Sequence, residues 1–200
     1  MVESTGTMGF SRVAARHIVL FAALALTSLT GWGQAIRIRS PQLAPKPLYV
    51  LSGSLSLSVN TTTVNFTLVP NGTAQGSPGI DVTTTWDVLG LIPELSLYAW
   101  LNSPTAALSD GRAKPDLIPS SAVLGQMTTG SPTTYTQFTQ TTPLGVAGAG
   151  LTLLNDVSVG GLLEYSGSRT DVLNLEIDLD GVSVPAGTYT GTLTLQASIN

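Results

Sequence analysis

The residue types that most often carry out catalysis are nearly absent from this chain. The 200-residue sequence has no cysteine, and its single histidine is His17. Catalytic triads, cysteine–histidine pairs, zinc sites with nitrogen or sulfur ligands, and haem ligation by the common side chains all need those residues. Lys46 and Lys114 stand outside any Ser-x-x-Lys motif. Paired carboxylates are the one acid–base option left, and we predict a protein that is not an enzyme and binds no cofactor.

The densest acidic cluster is formed by Glu176, Asp178 and Asp180, spaced two residues apart. In a β-strand this spacing places all three carboxylates on one face. One interpretation is a calcium site, because Ca²⁺ prefers several carboxylate oxygens. The alternative is the solvent face of a strand whose other face, from Leu173 to Leu179, is apolar. The further ligands and the closing Glu of an EF-hand loop are missing, which favours the solvent face.

Three aromatic residues, Trp86, Tyr98 and Trp100, are candidates for a sugar-stacking platform. Their segments alternate apolar and polar residues, which places Tyr98 and Trp100 together on the strand face opposite Leu97 and Leu101. A ligand-binding platform requires these rings to lie on an exposed face. The alternative is that they are core residues or cross-strand pairs, as aromatic residues in strands usually are.

Alternation with a period of two dominates the chain from residue 48 onward. Leu55, Leu57 and Val59 alternate with serines, and similar segments recur at short, even spacing. We predict an all-β fold, an antiparallel immunoglobulin-like β-sandwich of about nine strands, as a single domain over residues 48–200. Its core is predicted to contain Val64, Phe66, Trp86, Leu95, Leu97, Leu173, Leu175, Ile177, Leu193 and Leu195.

Turn chemistry separates these strands. Residues 102–119 contain a polar stretch with Gly and Pro, and the sequence predicts a loop there. The later strands are predicted at residues 122–128, 133–140, 151–159, 171–179 and 188–199.

The first 35 residues have the parts of a secretory signal peptide. An apolar run over residues 18–29 follows a positive region and precedes small residues: Arg12, Arg16 and His17, then Gly33-Gln34-Ala35. The run is shorter than the roughly 20 apolar residues of a membrane span, which disfavours the alternative of an uncleaved anchor. We predict a cleaved signal peptide over residues 1–35, starting at Met1 or Met8, and no stable membrane insertion after cleavage.

Residues 36–47 carry three prolines and three basic residues. We predict an extended, Pro-rich tether, because each proline fixes φ and moves the preceding residue out of the helical region. Its start alternates Ile36, Arg37, Ile38 and Arg39, so both isoleucines could insert into a neighbouring subunit while the arginines stay in water. The alternative is a disordered tail, since the prolines remove donors from a strand ladder.

The charge balance narrows the class of partner. Only 10% of the residues are charged, and the net charge is −4. A mild acidic balance argues against nucleic acid and against anionic membrane surfaces. Because the chain has no cysteine, its fold has to rely on burial and strand pairing.

The C-terminal segment matches a known pattern. Residues 171–179 alternate, and residues 184–195 read Val-Pro-Ala-Gly-Thr-Tyr-Thr-Gly-Thr-Leu-Thr-Leu. This ending resembles that of bacterial fimbrial-type subunits. It is similar in particular to the spore coat protein U group, whose domains end with a Pro-Ala-Gly-x-Tyr turn before a last alternating strand. The cysteine pair of many fimbrial subunits is missing here.

The resemblance implies an immunoglobulin-like sandwich that is secreted by a chaperone and an usher and polymerises by donating an N-terminal strand. Its partners would be copies of itself or related subunits, and a periplasmic chaperone. The predicted subunit contacts are Ile36 and Ile38 in the donor and Leu193 and Leu195 in the last strand. We therefore predict a secreted, periplasmic or cell-surface structural or adhesion protein of a bacterium, like a pilus, fimbria or coat subunit. The alternative is a stand-alone secreted binding module, for example for carbohydrate.

Overall fold

The computed structural model describes residues 34–43, 52–91, 93–142, 147–159 and 162–199. These residues form two β-sheets and one 3₁₀ turn at Ser120–Ala122, and no α-helix occurs among them. The predicted all-β sandwich is confirmed. The strands are β1 (Gln34–Leu43), β2 (Ser52–Val59), β3 (Thr63–Phe66), β4 (Thr73–Gln75), β5 (Ile80–Leu91), β6 (Glu94–Leu101), β7 (Leu108–Ser109), β8 (Leu117–Ile118), β9 (Val123–Met127), β10 (Thr136–Gln137), β11 (Gly150–Ser158), β12 (Leu162–Asp178) and β13 (Thr190–Ile199).

The two sheets have different strand orders, and sheet A contains both the first and the last described strands. Sheet A has the order β11-β6-β13-β1-β3, with the short β7–β8 pair attached to β13. Sheet B has the order β10-β9-β12-β5-β2, with β4 attached to β12. The pairing of β1 with β13 is parallel, whereas the other strand pairs of the described residues are antiparallel. The first and last described strands are therefore neighbours in the middle of sheet A.

The core lies between the sheets and follows from the period-two alternation. On β5 the buried residues are Ile80, Val82, Thr84, Trp86 and Val88, and the residues between them are partly or fully exposed. All ten residues of the predicted core are buried, and none is more than 8% exposed. The alternation therefore identified the inward faces correctly.

Residues 36–43 of the predicted tether belong to strand β1. Ile36 and Arg37 pair with both β13 and β3, and from Ile38 onward the strand pairs with β13 only. The strand accommodates Pro41 through a local irregularity: the register with β13 shifts between Arg39 and Gln42, so Pro41 falls where the ladder is already interrupted. A bulge of this kind tolerates a proline that a regular central strand would not. Pro45 and Pro47 lie outside the described residues, as do residues 1–33 of the predicted signal peptide.

Two other segments differ from the prediction. The predicted loop at 102–119 contains the short strands β7 and β8. Strand β12 begins at Leu162 rather than near residue 171, through a Ser-Gly-Ser stretch that is typical of a turn. The glycine there has a packing reason, because a Cβ on Gly167 would lie 2.7 Å from Cζ2 of Trp86. The residue marks the close approach of an indole ring rather than a turn.

Candidate subunit contact surface

The residues predicted to join subunits meet where β1 lies between β13 and β3, a place that we call the β1 seam. Ile36 is the register partner of Gly191 in β13 and of Val64 in β3. Its side chain is fully buried, and Arg37 beside it is exposed, as the alternation predicted. Ile38 is the register partner of Leu193; its side chain lies outside the described part of the structure. The seam thus joins three of the four predicted contact residues.

The fourth predicted contact residue, Leu195, lies opposite the break in the β1 ladder. The register pairs Arg39 with Thr194 and then Gln42 with Gln196, so Leu195 has no direct partner in β1. Its side chain and that of Leu193 are both fully buried. These two leucines therefore hold β13 to the core, and the seam itself depends on the first half of β1.

Gly191 allows the backbone of another segment to approach β13 closely. A Cβ at this position would lie 2.2 Å from the carbonyl oxygen of Ala107. Because the obstacle is backbone, a larger residue would have to displace either β13 or the chain before β7. The strand that borders β1 is therefore confined on its core side.

The turn before β13 is fixed by the tyrosine of the Pro-Ala-Gly-x-Tyr motif. Tyr189 is fully buried, and its hydroxyl donates a hydrogen bond to the carbonyl oxygen of Pro185 at 3.0 Å. Burial raises the pKa of Tyr189, the carboxylates of Asp116 and Asp110 raise it further, and Arg112 opposes them. The motif thus closes its own turn and sets the position at which β13 enters sheet A.

The carboxylates near that tyrosine belong to the loop between β7 and β8. Arg112 bridges them: its Nε lies 3.1 Å from Oδ2 of Asp110, and its Nη1 lies 3.7 Å from Oδ2 of Asp116. Oδ1 of Asp110 also accepts hydrogen bonds from the backbone N–H groups of Arg112 and Asp116. The loop is organised by its own charges, which gives these residues a local structural role.

Glu176 and Asp178, two of the candidate calcium residues, accept hydrogen bonds from nearby groups of the protein. Oε2 of Glu176 accepts a hydrogen bond from the Gln75 amide, and Oδ1 of Asp178 accepts one from the backbone N–H of Asp180 at 2.9 Å. Across the part of the chain that the structure describes, no three His, Cys, Asp or Glu side chains are grouped so that they could hold a metal ion. The solvent-face interpretation fits the structure.

The acidic strand forms a small polar network with a neighbouring tyrosine instead. The hydroxyl of Tyr135 donates to Oε1 of Gln75 at 2.5 Å, and Gln75 in turn donates to Glu176. Burial raises the pKa of Glu176, the nearby Asp178 adds to the rise, and the hydrogen bond from Gln75 opposes it. The pKa of Tyr135 is also raised, mainly by burial and to a smaller extent by the charge of Glu176. No pattern in the sequence pointed to this network, since it joins three separate segments.

The predicted aromatic platform is wrong. Trp86 lies on β5 in sheet B, whereas Tyr98 and Trp100 lie on β6 in sheet A. The exposed fractions are 8%, 8% and 7%, so none of the three rings is presented to solvent. The alternation placed Tyr98 and Trp100 on one face correctly, but it could not show that this face is covered.

Sequence reasoning missed a buried ion pair at the inner face of sheet B. Asp171 is 1% exposed and receives two hydrogen bonds from Arg169, at 2.6 and 2.7 Å, and one from the Thr129 hydroxyl at 2.8 Å. The hydrogen bond to Asp171 is the main cause that raises the pKa of Arg169. Opposite charges two residues apart in a strand were the available signal. The pair ties β12 to the loop after β9.

A surface groove of about 360 Å³ lies between the loop after β3 and the loop before β13. This volume is within the range of about 300–1,000 Å³ that is usual for small-molecule sites. The lining is mainly apolar, with a few polar groups from Thr67, Asn71 and Ser183, and its apolar residues include Leu68, Pro70, Leu179, Val182, Val184 and Pro185.

The predicted functional residues thus fall into separate places, and at the β1 seam residues from two different predicted contact segments come together. Within the described ranges, no helix has the length and apolar character needed to cross a membrane. Searches against protein-family models, curated proteins and solved structures find no match for this chain.

Proposed function

We propose that this chain is an exported structural subunit of a bacterial pilus-, fimbria- or coat-like assembly, and that β1 is the strand through which subunits join. The observation that carries the proposal is the position of β1. The N-terminal strand fills the place between β13 and β3, and Ile36 is fully buried there. The lack of catalytic residue types, the signal-like N-terminus and the C-terminal resemblance support the same class of protein.

Strand exchange has a simple physical basis at this seam. The hydrogen bonds that β1 makes with β13 and β3 would be the same if β1 came from another copy of the chain. The side chains also permit the exchange, because Arg37 is the register partner of the uncharged Thr63 and Thr192. Each copy would then fill the seam of the next, and a head-to-tail contact of this kind produces an open chain of subunits.

A stand-alone secreted binding module is the second candidate. It is favoured by the fact that β1 completes the sheet of its own domain, which leaves no unfilled position between β13 and β3. Its ligand site would be the groove between the loops at residues 67–71 and 179–187 rather than the buried aromatic residues.

A double cysteine variant separates the two candidates. Arg37 and Thr63 are antiparallel register partners, and such residues have Cα atoms about 4.5–5.5 Å apart, within disulfide range. The chain has no other cysteine. If β1 is donated, oxidation of the Arg37→Cys/Thr63→Cys variant in concentrated mature protein gives a ladder of covalent multimers on a non-reducing gel.

The two single variants are the controls, because neither can extend a covalent chain beyond a dimer. Oxidation that yields only a cross-linked monomer of the double variant, at every concentration up to the solubility limit, contradicts strand donation. The stand-alone module would then be the better account.

A further inference from the structure

Four strands end the orders of the two sheets, and three of these end strands are protected. Strand β12 also has an unpaired side before Leu173, since it pairs with β9 only from there on, but that stretch carries the charged residues Glu164, Arg169 and Asp171. At the edge of sheet A formed by β3, Asn65 exchanges two backbone hydrogen bonds with Ser77, both at 2.9 Å. At the other edge, β11 is irregular in register, and Gln140 bridges to Gly150. At one edge of sheet B, β10 is only two residues long. Short strands, bulges and covering segments are the usual ways in which an edge is closed to other chains.

The fourth edge, formed by β2, has none of these protections among the described residues. Strand β2 is eight residues long and ends the order of sheet B. Its register with β5 runs from Ser52 to Val59 without a shift, so it contains no bulge. It carries no charged residue and no proline. A long, regular, uncharged edge strand is a template for pairing with a further strand.

The sequence of β2 is symmetric in a way that suits one particular partner. Residues 54–58 read Ser-Leu-Ser-Leu-Ser, the same in both directions about Ser56. When two copies pair antiparallel about a two-fold axis at Ser56, Ser54 faces Ser58 and Leu55 faces Leu57. Directly opposite residues lie on the same face of a sheet, so hydroxyls meet hydroxyls and leucines meet leucines.

We propose that β2 is a dimerisation edge, at which two copies of this chain pair antiparallel about a two-fold axis through Ser56 and extend sheet B from one copy into the other. The burial pattern fits this contact. Ser54, Ser56 and Ser58 are exposed, whereas Leu55 is half-buried and Leu57 is 9% exposed. Pairing therefore continues the apolar inner layer and brings no like charges together.

This contact is independent of the β1 seam and goes beyond strand donation. Donation is head to tail and gives linear chains, whereas a β2 pair is symmetric and closes on itself. In combination, the two contacts would join linear assemblies in pairs.

Single cysteine variants test the register. The chain has no cysteine, so a single introduced thiol can form only intermolecular disulfides. We expect mild oxidation of the mature Ser56→Cys variant to give covalent dimers, because the two-fold axis places the thiols opposite each other. We also expect Ser54→Cys to cross-link more with Ser58→Cys in a mixture than either variant does with itself. The matched control is Thr85→Cys, which is exposed on the same face of sheet B but lies in β5, between Ser56 of β2 and Ser168 of β12.

A charge variant tests the same contact without covalent trapping. Ser56→Lys places two ammonium groups opposite each other at the axis, and we expect the mass in sedimentation experiments to fall by about half, whether the paired units are single copies or linear assemblies. Thr85→Lys should leave the mass unchanged. When the Arg37→Cys/Thr63→Cys pair is added to each lysine variant, the cross-links between residues 37 and 63 should form equally in both. A Ser56→Cys dimer yield no higher than that of Thr85→Cys overturns the proposal, whatever the outcome at the β1 seam.

Discussion

Strands β1 and β2 have the same kind of sequence and opposite positions in their sheets. Both alternate apolar and polar residues, Ile-Arg-Ile-Arg in β1 and Ser-Leu-Ser-Leu-Ser in β2. At Ile36, β1 has a neighbour on each side and the side chain is completely buried, whereas β2 is an edge strand on which Leu55 is half-buried. Alternation therefore specifies a strand with two different faces, but it does not specify how many neighbours the strand has.

The polar residues of the two strands suit these different positions. In β1 the outward Arg37 lies between Thr63 and Thr192, which carry no charge to oppose it. The same arginine on an edge would repel an identical strand in a second copy, which is one way that edges are kept apart. The serines of β2 create no such repulsion. This difference is why we assign strand donation to β1 and symmetric pairing to β2.

The largest expected effect is the loss of stability when the buried side chain of Ile36 in the β1 seam is shortened. Ile36→Ala removes a fully buried side chain, and such changes lower the free energy of unfolding by about 2–5 kcal/mol. Leu55→Ala, at a half-buried position of β2, should cost about 1 kcal/mol. Urea unfolding of both variants measures the difference. Equal losses would show that the seam is no better packed than the edge, and the comparison between β1 and β2 would fail.

A smaller effect is expected from two glycines at which a Cβ meets backbone. A Cβ at Gly191 would lie 2.2 Å from the Ala107 carbonyl oxygen, and one at Gly53 in β2 would lie 2.5 Å from the Asp87 carbonyl oxygen. Overpacking of this kind costs about 1–3 kcal/mol where the backbone cannot move. We expect Gly191→Ala to reach that range in thermal or urea unfolding. At concentrations low enough that β2 is unpaired, Gly53→Ala should cost less, because an edge strand can shift toward its open side.

If Gly53→Ala costs as much as Gly191→Ala, then β2 is held as rigidly as β13. A rigid β2 would argue that its outer side is not free to move.

The smallest expected effect is a pH dependence that comes from the far side of sheet B, since β2 has no ionisable side chain. The folded-state pKa of Glu176 is raised by burial and by Asp178. The folded protein therefore holds this proton more tightly than the unfolded chain does, and stability is lost as the pH rises through the folded-state pKa. Glu176→Gln removes that loss. As the pH rises from about 4 to about 7, the free energy of unfolding of the variant should therefore increase relative to that of the natural protein.

The control for this measurement is Asp180→Asn, which removes one charge at an exposed position just after β12. Urea unfolding at the two pH values gives the difference for each variant. If the change in unfolding free energy between the two pH values is altered no more by Glu176→Gln than by Asp180→Asn, the effect comes from overall charge.

The sequence predicted the inward faces well because they depend on local alternation. Every residue of the predicted core is buried, and the exposure of Arg37 beside Ile36 followed from the same period. The sequence-based predictions were in error where contacts with a distant part of the chain decide the local conformation of a residue. Gly167 is a residue type typical of turns, but in the structure it makes room for the indole of Trp86. Pro41 is typical of a tether, but in the structure it lies at an irregularity of the β1 ladder.

The candidate contact surfaces divide along the same line. The sequence by itself determined the two-faced character of β1 and β2 and the symmetry of residues 54–58. It also determined that the chain has no cysteine and no histidine other than His17. Only the tertiary structure decided that β1 is enclosed by β13 and β3, that β2 is an edge, and that Trp86 and the Tyr98–Trp100 pair lie in different sheets. The physical reason is that side-chain alternation is set by neighbours along the chain, whereas sheet order is set by hydrogen bonds between strands that are far apart in sequence.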